Sequence, residues 1–182
     1  MNLRINGERI FLKIPEMKDA KAICKYANDK AIARYTTIPH PYKLKHAKNF
    51  VKRVKQKMKK KEGYEFSIVL KETGEIIGGI ALNHIDNFNQ NASLGYWLAK
   101  KYWGQGLMSE AMKLILDFGF NKLKLHKIYA RVYKPNKRSS HLLEKFGFKL
   151  EGNFRKHLKG RFSNKWYDEL RYGLLREEWK SI

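Results

Sequence analysis

The chain has 182 residues, a length typical of one domain, and we expect a single domain over residues 1–182. Hydrophobic residues make up 43% and aromatic residues 13%, which excludes a disordered chain. The sequence contains no run of about 18 apolar residues, so we expect no membrane span. One cysteine, Cys24, cannot form an internal disulfide or build a metal site alone, so we expect a reducing, cytoplasmic setting and no metal.

Charge is the unusual property of the sequence, because 39 lysines and arginines outnumber 17 aspartates and glutamates by 22. The excess is concentrated in residues 41–62 and 121–165, which hold 24 of the 39 basic residues. A field of this sign attracts anions such as nucleic acid, the ribosome, an acidic lipid surface or a phosphorylated cofactor. A lysine-rich, solvated surface without a specific partner is the alternative.

The first third of the chain is predicted to be mostly helical. A strand over residues 8–14 ends at Pro15, and apolar residues at helical spacing predict a helix over 19–28. Residues 36–42 contain two prolines and predict a loop. A basic amphipathic helix is expected over 43–61, with one apolar face and one lysine face.

The rest of the chain alternates strands and helices. Strands are predicted at 66–70, 76–82 and 92–98, followed by a helix at 108–120, a strand at 127–133, a helix at 137–146 and two strands at 148–158 and 166–175. The unit from 92 to 133 predicts a right-handed parallel crossover. We therefore expect an α/β (mixed α+β) fold, with a mostly antiparallel sheet of about seven strands and helices on both faces.

Two glycines mark the turn between the strand at 92–98 and the helix at 108–120, in the segment Trp103-Gly104-Gln105-Gly106-Leu107-Met108. Glycines at such a turn bring backbone N–H groups close to a ligand, and the helix N-terminus adds unpaired donors and a positive dipole end. The pattern predicts a pyrophosphate site. It is neither a Walker loop nor a full G-x-G-x-x-G, and glycine at such a turn also has a purely structural interpretation.

A second motif follows about 30 residues later, running from Asn136-Lys137-Arg138-Ser139 to Gly147-Phe148. Together the two motifs resemble the GNAT superfamily of acyl-CoA-dependent N-acyltransferases, and the likeness extends from about residue 8 to 179. Leu94-Gly95-Tyr96-Trp97-Leu98 and Leu150-Glu151-Gly152 are most similar to the Rim-type branch, which includes ribosomal-protein-alanine N-acetyltransferases. Trp103 and Met108 depart from the superfamily pattern but are tolerated in that branch.

The resemblance implies acetyl-CoA as cosubstrate, no metal, and a role for each motif. Backbone groups of Tyr96, Trp97 and Leu98 would pair with the pantetheine arm, and Asn136 would hydrogen-bond the pantetheine or phosphate region. Arg138 is a candidate phosphate ligand, like Lys137, and Ser139 is also expected to contact the cofactor. The diphosphate would lie on the backbone N–H groups of Gly104, Gln105, Gly106, Leu107 and Met108.

The resemblance also implies direct transfer of the acetyl group to an amine, with no covalent enzyme intermediate. The Leu98 N–H is the expected donor to the thioester carbonyl oxygen. Leu143 stands where many members have a tyrosine as general acid, so Ser139 is the candidate that protonates the leaving thiolate; its alternative role is capping of the helix.

The remaining candidates concern the general base and the acceptor pocket. Candidates for the general base are His84, Asp86 and His157, each with a surface role as the alternative. Asp168 and Tyr172, which recur in the branch, are expected to shape the acceptor pocket, with a structural hydrogen bond as the alternative for Asp168.

Three functions remain open. The first is acetylation of the N-terminal α-amine of a ribosomal or other protein, and the second is acetylation of a small amine such as an antibiotic, an amino acid or a polyamine. The third is a nucleic-acid-binding domain without catalysis. The basic surface disfavours a polycation and favours an acceptor that is embedded in RNA or carries acidic residues. We expect contact with the ribosome or RNA through that surface, and a monomer or homodimer.

Overall fold

The computed structural model describes residues 3–180, which fold around one eight-stranded sheet. The strands are β1 (Arg4–Asn6), β2 (Ile10–Lys13), β3 (Gly63–Leu70), β4 (Ile76–Asp86), β5 (Asn91–Leu98), β6 (Lys127–Tyr133), β7 (Lys149–Lys159) and β8 (Trp166–Leu175). The helices are α1 (Ala20–Ala27), α2 (Lys30–Ala33), α3 (Leu44–Lys59), α4 (Leu107–Asp117) and α5 (Lys137–Lys145).

The sheet has the strand order β1-β2-β3-β4-β5-β6-β8-β7. Every neighbouring pair is antiparallel except β5 and β6, which are parallel and connected through α4. The predicted parallel crossover and the mostly antiparallel sheet are thus confirmed. The parallel pairing covers only Asn91 to Leu94 against Lys127 to Ala130, so the two strands separate beyond that point.

The sequence analysis missed two short elements. β1 has three residues, of which only the middle one is partly buried, so it carries no apolar pattern; it adds an eighth strand at the edge by pairing with β2. α2 has four residues and begins at Asp29, whose carboxylate accepts a hydrogen bond of 2.7 Å from the Ala31 N–H. Elsewhere the predicted boundaries shift, most at β3, which begins at residue 63 rather than 66, and β4, which continues to residue 86.

Helices cover both faces of the sheet, as predicted. Val69 and Ile76 point from β3 and β4 into a cluster with α1 and α3, whereas their neighbours Ile68 and Ile77 point into the main core with α4. Adjacent strand residues point to opposite faces, so these pairs separate the two layers. On α3, the apolar face is buried and the lysine face is exposed.

The helix predicted at 108–120 begins one residue earlier and changes form near its end. α4 ends at Asp117, and residues Phe118–Lys122 form one turn of π-helix. Gly119 lies there against the sheet, since a Cβ at this position would stand 2.7 Å from the Ile128 side chain. No helix within residues 3–180 is both long and apolar enough to cross a bilayer.

Candidate active site

The gap between β5 and β6 exposes backbone groups of β5. The Ala99 N–H donates to the Ile77 carbonyl at 2.8 Å, so this residue pair is a hydrogen-bonded one. Hydrogen-bonded and non-hydrogen-bonded pairs alternate in an antiparallel ladder. Leu98 and Tyr96 therefore direct their N–H and C=O groups away from β4, toward β6, beyond the last β5–β6 pair. Trp97, in contrast, uses its backbone groups on β4.

The loop before α4 has the geometry of an anion site. Gly104 and Gly106 adopt φ values of 76° and 78°, the left-handed region that favours glycine. A Cβ at Gly104 would meet nothing within 4 Å, so the backbone is open to a ligand there. Leu107 and Met108 form the first turn of α4, where backbone N–H groups have no acceptor within the helix.

Two side chains hold this loop. The Gln105 amide donates to the Lys101 carbonyl at 2.9 Å, which closes the loop on itself. Arg9 of the segment preceding β2 donates from its guanidinium to the Gln105 carbonyl at 3.0 Å and pairs with Glu110 of α4 at 3.5 Å. The sequence analysis missed Arg9, because it lies 96 residues from the loop that it supports.

Trp103, which departs from the superfamily pattern, connects three parts of the site. Its indole N–H donates to the Leu98 carbonyl at 2.7 Å, and its ring lies 4.8 Å from the guanidinium carbon of Arg138. The Leu98 carbonyl is thus hydrogen-bonded within the protein, while the Leu98 N–H faces the gap between β5 and β6. Arg138 stacks on the tryptophan at the edge of the phosphate loop, in cation–π geometry.

The start of α5 faces the same gap. Asn136 precedes the first helical residue, and its side chain makes no capping hydrogen bond. Ser139, the third residue of α5, shares a hydrogen bond of 2.7 Å with the hydroxyl of Tyr96. The alternative role of Ser139 as the capping residue is therefore wrong, since Asn136 holds that position.

The tyrosine of this pair was expected to contribute only its backbone. Burial raises the pKa of Tyr96 to about 12, so its hydroxyl remains protonated at neutral pH. Tyr172 lies elsewhere: it is buried in the core and donates to Glu144 of α5 at 2.9 Å. The expectation that Tyr172 shapes the acceptor pocket is wrong, because β8 directs alternate side chains to opposite faces.

One cleft of about 900 Å³ passes through the gap and joins the two faces of the sheet. Tyr96, Asn136 and Ser139 line it on the α5 side. On the other side it is lined by α3, by the segment 35–39 before α3, and by side chains of β3, β4, β6 and β8. Arg161 crosses over this side and donates to the Thr36 carbonyl at 3.4 Å.

The side of the cleft away from α5 is rich in charged groups that the sequence analysis did not identify. Glu65 is buried and pairs with Lys57 at 2.9 Å, and the same lysine donates to Asn83 at 2.9 Å. Glu169 is buried completely and pairs with Arg131 of β6. Glu65 is the one charged residue of the strand β3, and that pattern was the available signal; Glu169 lies between Asp168 and Arg171 in β8 and carried no such signal.

Of the three candidate bases, one lies at the cleft. His84 lines it, is exposed, and adopts a φ of 52° within the irregular end of β4. Asp86 instead closes the β4–β5 turn, where hydrogen bonds from Asn89 lower the pKa of its carboxyl. His157 is exposed on β7, against Phe154.

Asp168 has the structural role that was its alternative. Its carboxylate accepts from Lys134 at 2.8 Å and from the Lys156 N–H at 3.1 Å, which fixes the irregular part of β7. The hydrogen bond from Lys134 is the main cause that lowers the pKa of this carboxyl.

This geometry can be compared with known proteins. The family model described as "Acetyltransferase (GNAT) domain" matches residues 9–149. A relative from Bacillus licheniformis, the uncharacterized N-acetyltransferase p20, is 33% identical over 94% of this chain and 96% of its own length. The spermidine N(1)-acetyltransferase of Escherichia coli is 35% identical over 48% of this chain and 47% of its own length.

Solved structures agree with the family match. A GNAT-family acetyltransferase from Bacillus anthracis superposes with a TM-score of 0.84 at 28% identity, over 97% of this chain and all of that one. A ribosomal-protein-S5-alanine acetyltransferase from Vibrio fischeri superposes with a TM-score of 0.86 at 24% identity, over 98% and 99% of the two chains, and shows the shared fold. The chain belongs to the GNAT family of acetyltransferases.

The protein is therefore an acetyl-CoA-dependent N-acetyltransferase, and the hypothesis of a nucleic-acid-binding domain without catalysis is wrong. The site fits the cosubstrate of the family. Left-handed glycines leave the loop before α4 open to a diphosphate, and the gap beside β5 offers unpaired backbone groups to an extended arm.

Proposed function

We propose that this enzyme acetylates the N-terminal α-amine of a ribosomal or other protein. The observation that supports the proposal is the cleft through the sheet, whose side away from α5 is wide, open to solvent and lined by more cations than carboxylates. Such a surface repels a polyamine and accommodates an extended chain end. A free α-amine has a pKa of ~7.7–8.0, so roughly a tenth to a sixth of it is already deprotonated at pH 7, far more than of a lysine or polyamine amine.

The residues of the gap have defined roles in this proposal. The Leu98 N–H donates to the thioester carbonyl oxygen, where negative charge develops as the amine attacks. Ser139 donates its hydroxyl proton to the leaving sulfur while the hydroxyl of Tyr96, 2.7 Å away, holds the Ser139 oxygen in place by a hydrogen bond, and Ser139 regains its proton from solvent in the cleft that it lines. His84 is positioned at the cleft to accept the proton that the amine loses, directly or through water.

A test compares α-amine acceptors with a polyamine acceptor. Wild-type enzyme and acetyl-CoA are incubated with short peptides that have a free N-terminal alanine or serine, with the same peptides blocked at the N-terminus, and with spermidine. Acetylation of the free peptides and not of the blocked ones is expected, by mass spectrometry. Faster turnover of spermidine than of every peptide would overturn the proposal and favour the small-amine alternative, which the partial likeness to a spermidine acetyltransferase supports.

A further inference from the structure

Two arginines face each other across the centre of the sheet. Arg131 of β6 is paired directly with Arg171 of β8 in the antiparallel register. Like charges at opposed positions of this kind destabilise a strand pair. A third residue offsets the repulsion: Glu169 binds the Arg171 Nε at 2.8 Å through one oxygen and the Arg131 Nε at 3.4 Å through the other.

The carboxylate that joins these arginines is 0% exposed. A buried carboxylate is costly unless cations compensate it, so Glu169 depends on the charges of both arginines. Only the oxygen that faces Arg171 is hydrogen-bonded; the other has no hydrogen-bond partner among the described residues. The arginines remain accessible, with side chains 53% exposed for Arg131 and 41% for Arg171. The two guanidinium groups are therefore held over a buried carboxylate and remain accessible to solvent.

Only Arg131 presents its charge to the cleft. It follows Ala130, the last β6 residue paired with β5, and so lies where the two strands separate. Arg171 does not line the cleft; its guanidinium lies over the ring of Phe154 at 3.8 Å. A guanidinium that is held through Nε retains its two Nη groups for a bidentate contact with a second carboxylate.

The charges of the cleft favour such a ligand. Its two lining carboxylates, Glu65 and Glu169, are both buried and both engaged in ion pairs. Against them stand four cationic side chains, namely Arg53, Lys57, Arg131 and Arg161. One oxygen of Glu169 has no hydrogen-bond partner within residues 3–180 and lies 3.4 Å from the Arg131 Nε, so the cleft lining has four cations against two buried, ion-paired carboxylates.

We propose that Arg131 is the specificity residue for the acceptor, and that it binds a carboxylate carried by one of the first residues that follow the acetylated α-amine. The enzyme then selects proteins with an acidic N-terminal segment. This inference rests on the proposed function, and it adds which chain ends are accepted and which side chain selects them.

The test uses three peptides that differ only at the second and third residues, which are Asp, Asn or Lys. Wild-type enzyme is expected to prefer the Asp peptide in kcat/KM. Arg131→Gln should raise the KM for the Asp peptide about 10- to 100-fold, the range that a charged hydrogen bond contributes, and should leave the KM for the Asn peptide unchanged.

Arg171→Gln is the matched control, because it also removes one partner of Glu169 and leaves the other. It should retain the preference for Asp. A loss of preference in both variants would assign the effect to the buried carboxylate and overturn the specificity role of Arg131.

The two proposals fail in different ways. Equal kcat/KM for the three peptides in wild-type enzyme would overturn the role of Arg131 and leave N-terminal acetylation standing. Acetylation of spermidine but of no peptide would overturn the proposed function. In that case calorimetric binding of the Asp and Lys peptides in the presence of CoA still tests Arg131, and equal affinities would overturn its role.

Discussion

In the proposed function the α5 side of the cleft is the cosubstrate side and the side away from α5 is the acceptor side, and the two would recognise their ligands by different means. The cosubstrate side is built mostly from backbone groups in two short stretches, 96–108 and 136–139, with glycines at the positions that require a left-handed backbone. The acceptor side is built from side chains that converge from α3, β3, β4, β6 and β8. Backbone recognition suits a ligand that stays the same, whereas side-chain recognition allows the acceptor to change without disturbing the cosubstrate.

One residue links elements of both sides. Glu75, in the turn between β3 and β4, accepts a hydrogen bond from Tyr26 of α1 and another of 2.5 Å from Tyr102, which precedes the phosphate loop. Lys101 pairs with the same carboxylate at 3.3 Å. The helix α1, which contributes Ile23 and Ala27 to the cleft lining, and the entry to the loop before α4 thus share an anchor that lies outside the cleft.

The largest effect is expected from Gly106→Val, which alters only the loop before α4, on the cosubstrate side of the cleft. A β-branched residue at a φ of 78° is strained by at least ~1–2 kcal/mol, and its Cβ would stand 3.2 Å from the Arg9 guanidinium. The loop must shift, so the acetyl-CoA-dependent rise in melting temperature should vanish. For wild-type protein that stabilisation is ~2.7 kcal/mol at a hundredfold excess over Kd.

Gly74→Val is the matched control for this substitution. Gly74 also has a positive φ, 69°, but lies in the β3–β4 turn with nothing within 4 Å of a Cβ. It should lower the melting temperature and preserve the acetyl-CoA shift. Retention of the shift in Gly106→Val would show that the loop does not bind the diphosphate.

The next largest effect is expected at the hydrogen-bonded hydroxyls of Ser139 and Tyr96, in the gap between β5 and β6. Ser139→Ala should lower kcat by about 10- to 100-fold and leave acetyl-CoA binding unchanged, because only the proton for the leaving thiolate is lost. Tyr96→Phe, which removes the 2.7 Å hydrogen bond to Ser139, should lower kcat by about 2- to 10-fold. Tyr172→Phe is the control, since its hydroxyl binds Glu144 in the core. Full activity of Ser139→Ala would contradict the proposed acid.

The difference between the two sides also decided what the sequence could predict. Gly104, Gly106, Asn136 and Ser139 lie in compact motifs, so their identities and spacing indicated a phosphate site and its partner helix. The β5 backbone could be assigned as well, because the order of the strands implies one parallel pair beside it. These features depend on local sequence and on topology.

The acceptor side could not be predicted in the same way. Arg131 and Glu169 are 38 residues apart in the numbering, and their ion pair depends on the register between β6 and β8. The hydroxyl contact of Tyr96 depends on how α5 lies across the gap, which no local pattern specifies. Tyr172 was assigned from the family resemblance alone, and in the structure it lies on the face of β8 opposite Glu169, buried in the core against Glu144.

A smaller effect, on stability, is expected at Glu75. Hydrogen bonds from Tyr102 and then Tyr26 lower the pKa of its carboxyl from 4.5 to about 2. A depressed pKa stabilises the folded state above the unfolded pKa of 4.5, and this contribution is lost as the pH falls through about 2. Glu75→Gln should lower the free energy of unfolding by about 1–2 kcal/mol at pH 7, after allowance for solvent screening.

Urea denaturation at several pH values measures this contribution. The difference between wild type and Glu75→Gln should shrink as the pH is lowered from 5 toward 2. Glu72→Gln, at an exposed position of the same turn, should change little at any pH. A wild-type advantage that stays constant down to pH 2 would mean that ionised Glu75 is not the anchor.

The smallest effect on catalysis is expected from the lysine face of α3. Lys52, Lys55 and Lys59 are exposed there, whereas Val51 and Val54 are buried on the opposite face. If the basic surface contacts RNA or the ribosome, each neutralised phosphate contributes ~0.7–0.9 to the salt slope of log affinity. Replacement of the three lysines by glutamate should weaken RNA binding at low salt and reduce that slope by up to about 2–3.

The same triple variant should acetylate a short peptide at the wild-type rate, because the charges that line the cleft, including Arg53 of the same helix, are retained. Glutamine at the three positions is the matched control and should weaken RNA binding less than glutamate, since it removes the positive charges without adding negative ones. RNA binding at the parental level in the glutamate variant would show that this face is only solvated. Recognition of the acceptor would then depend on the cleft alone, and the test of Arg131 would measure all of its electrostatic selectivity.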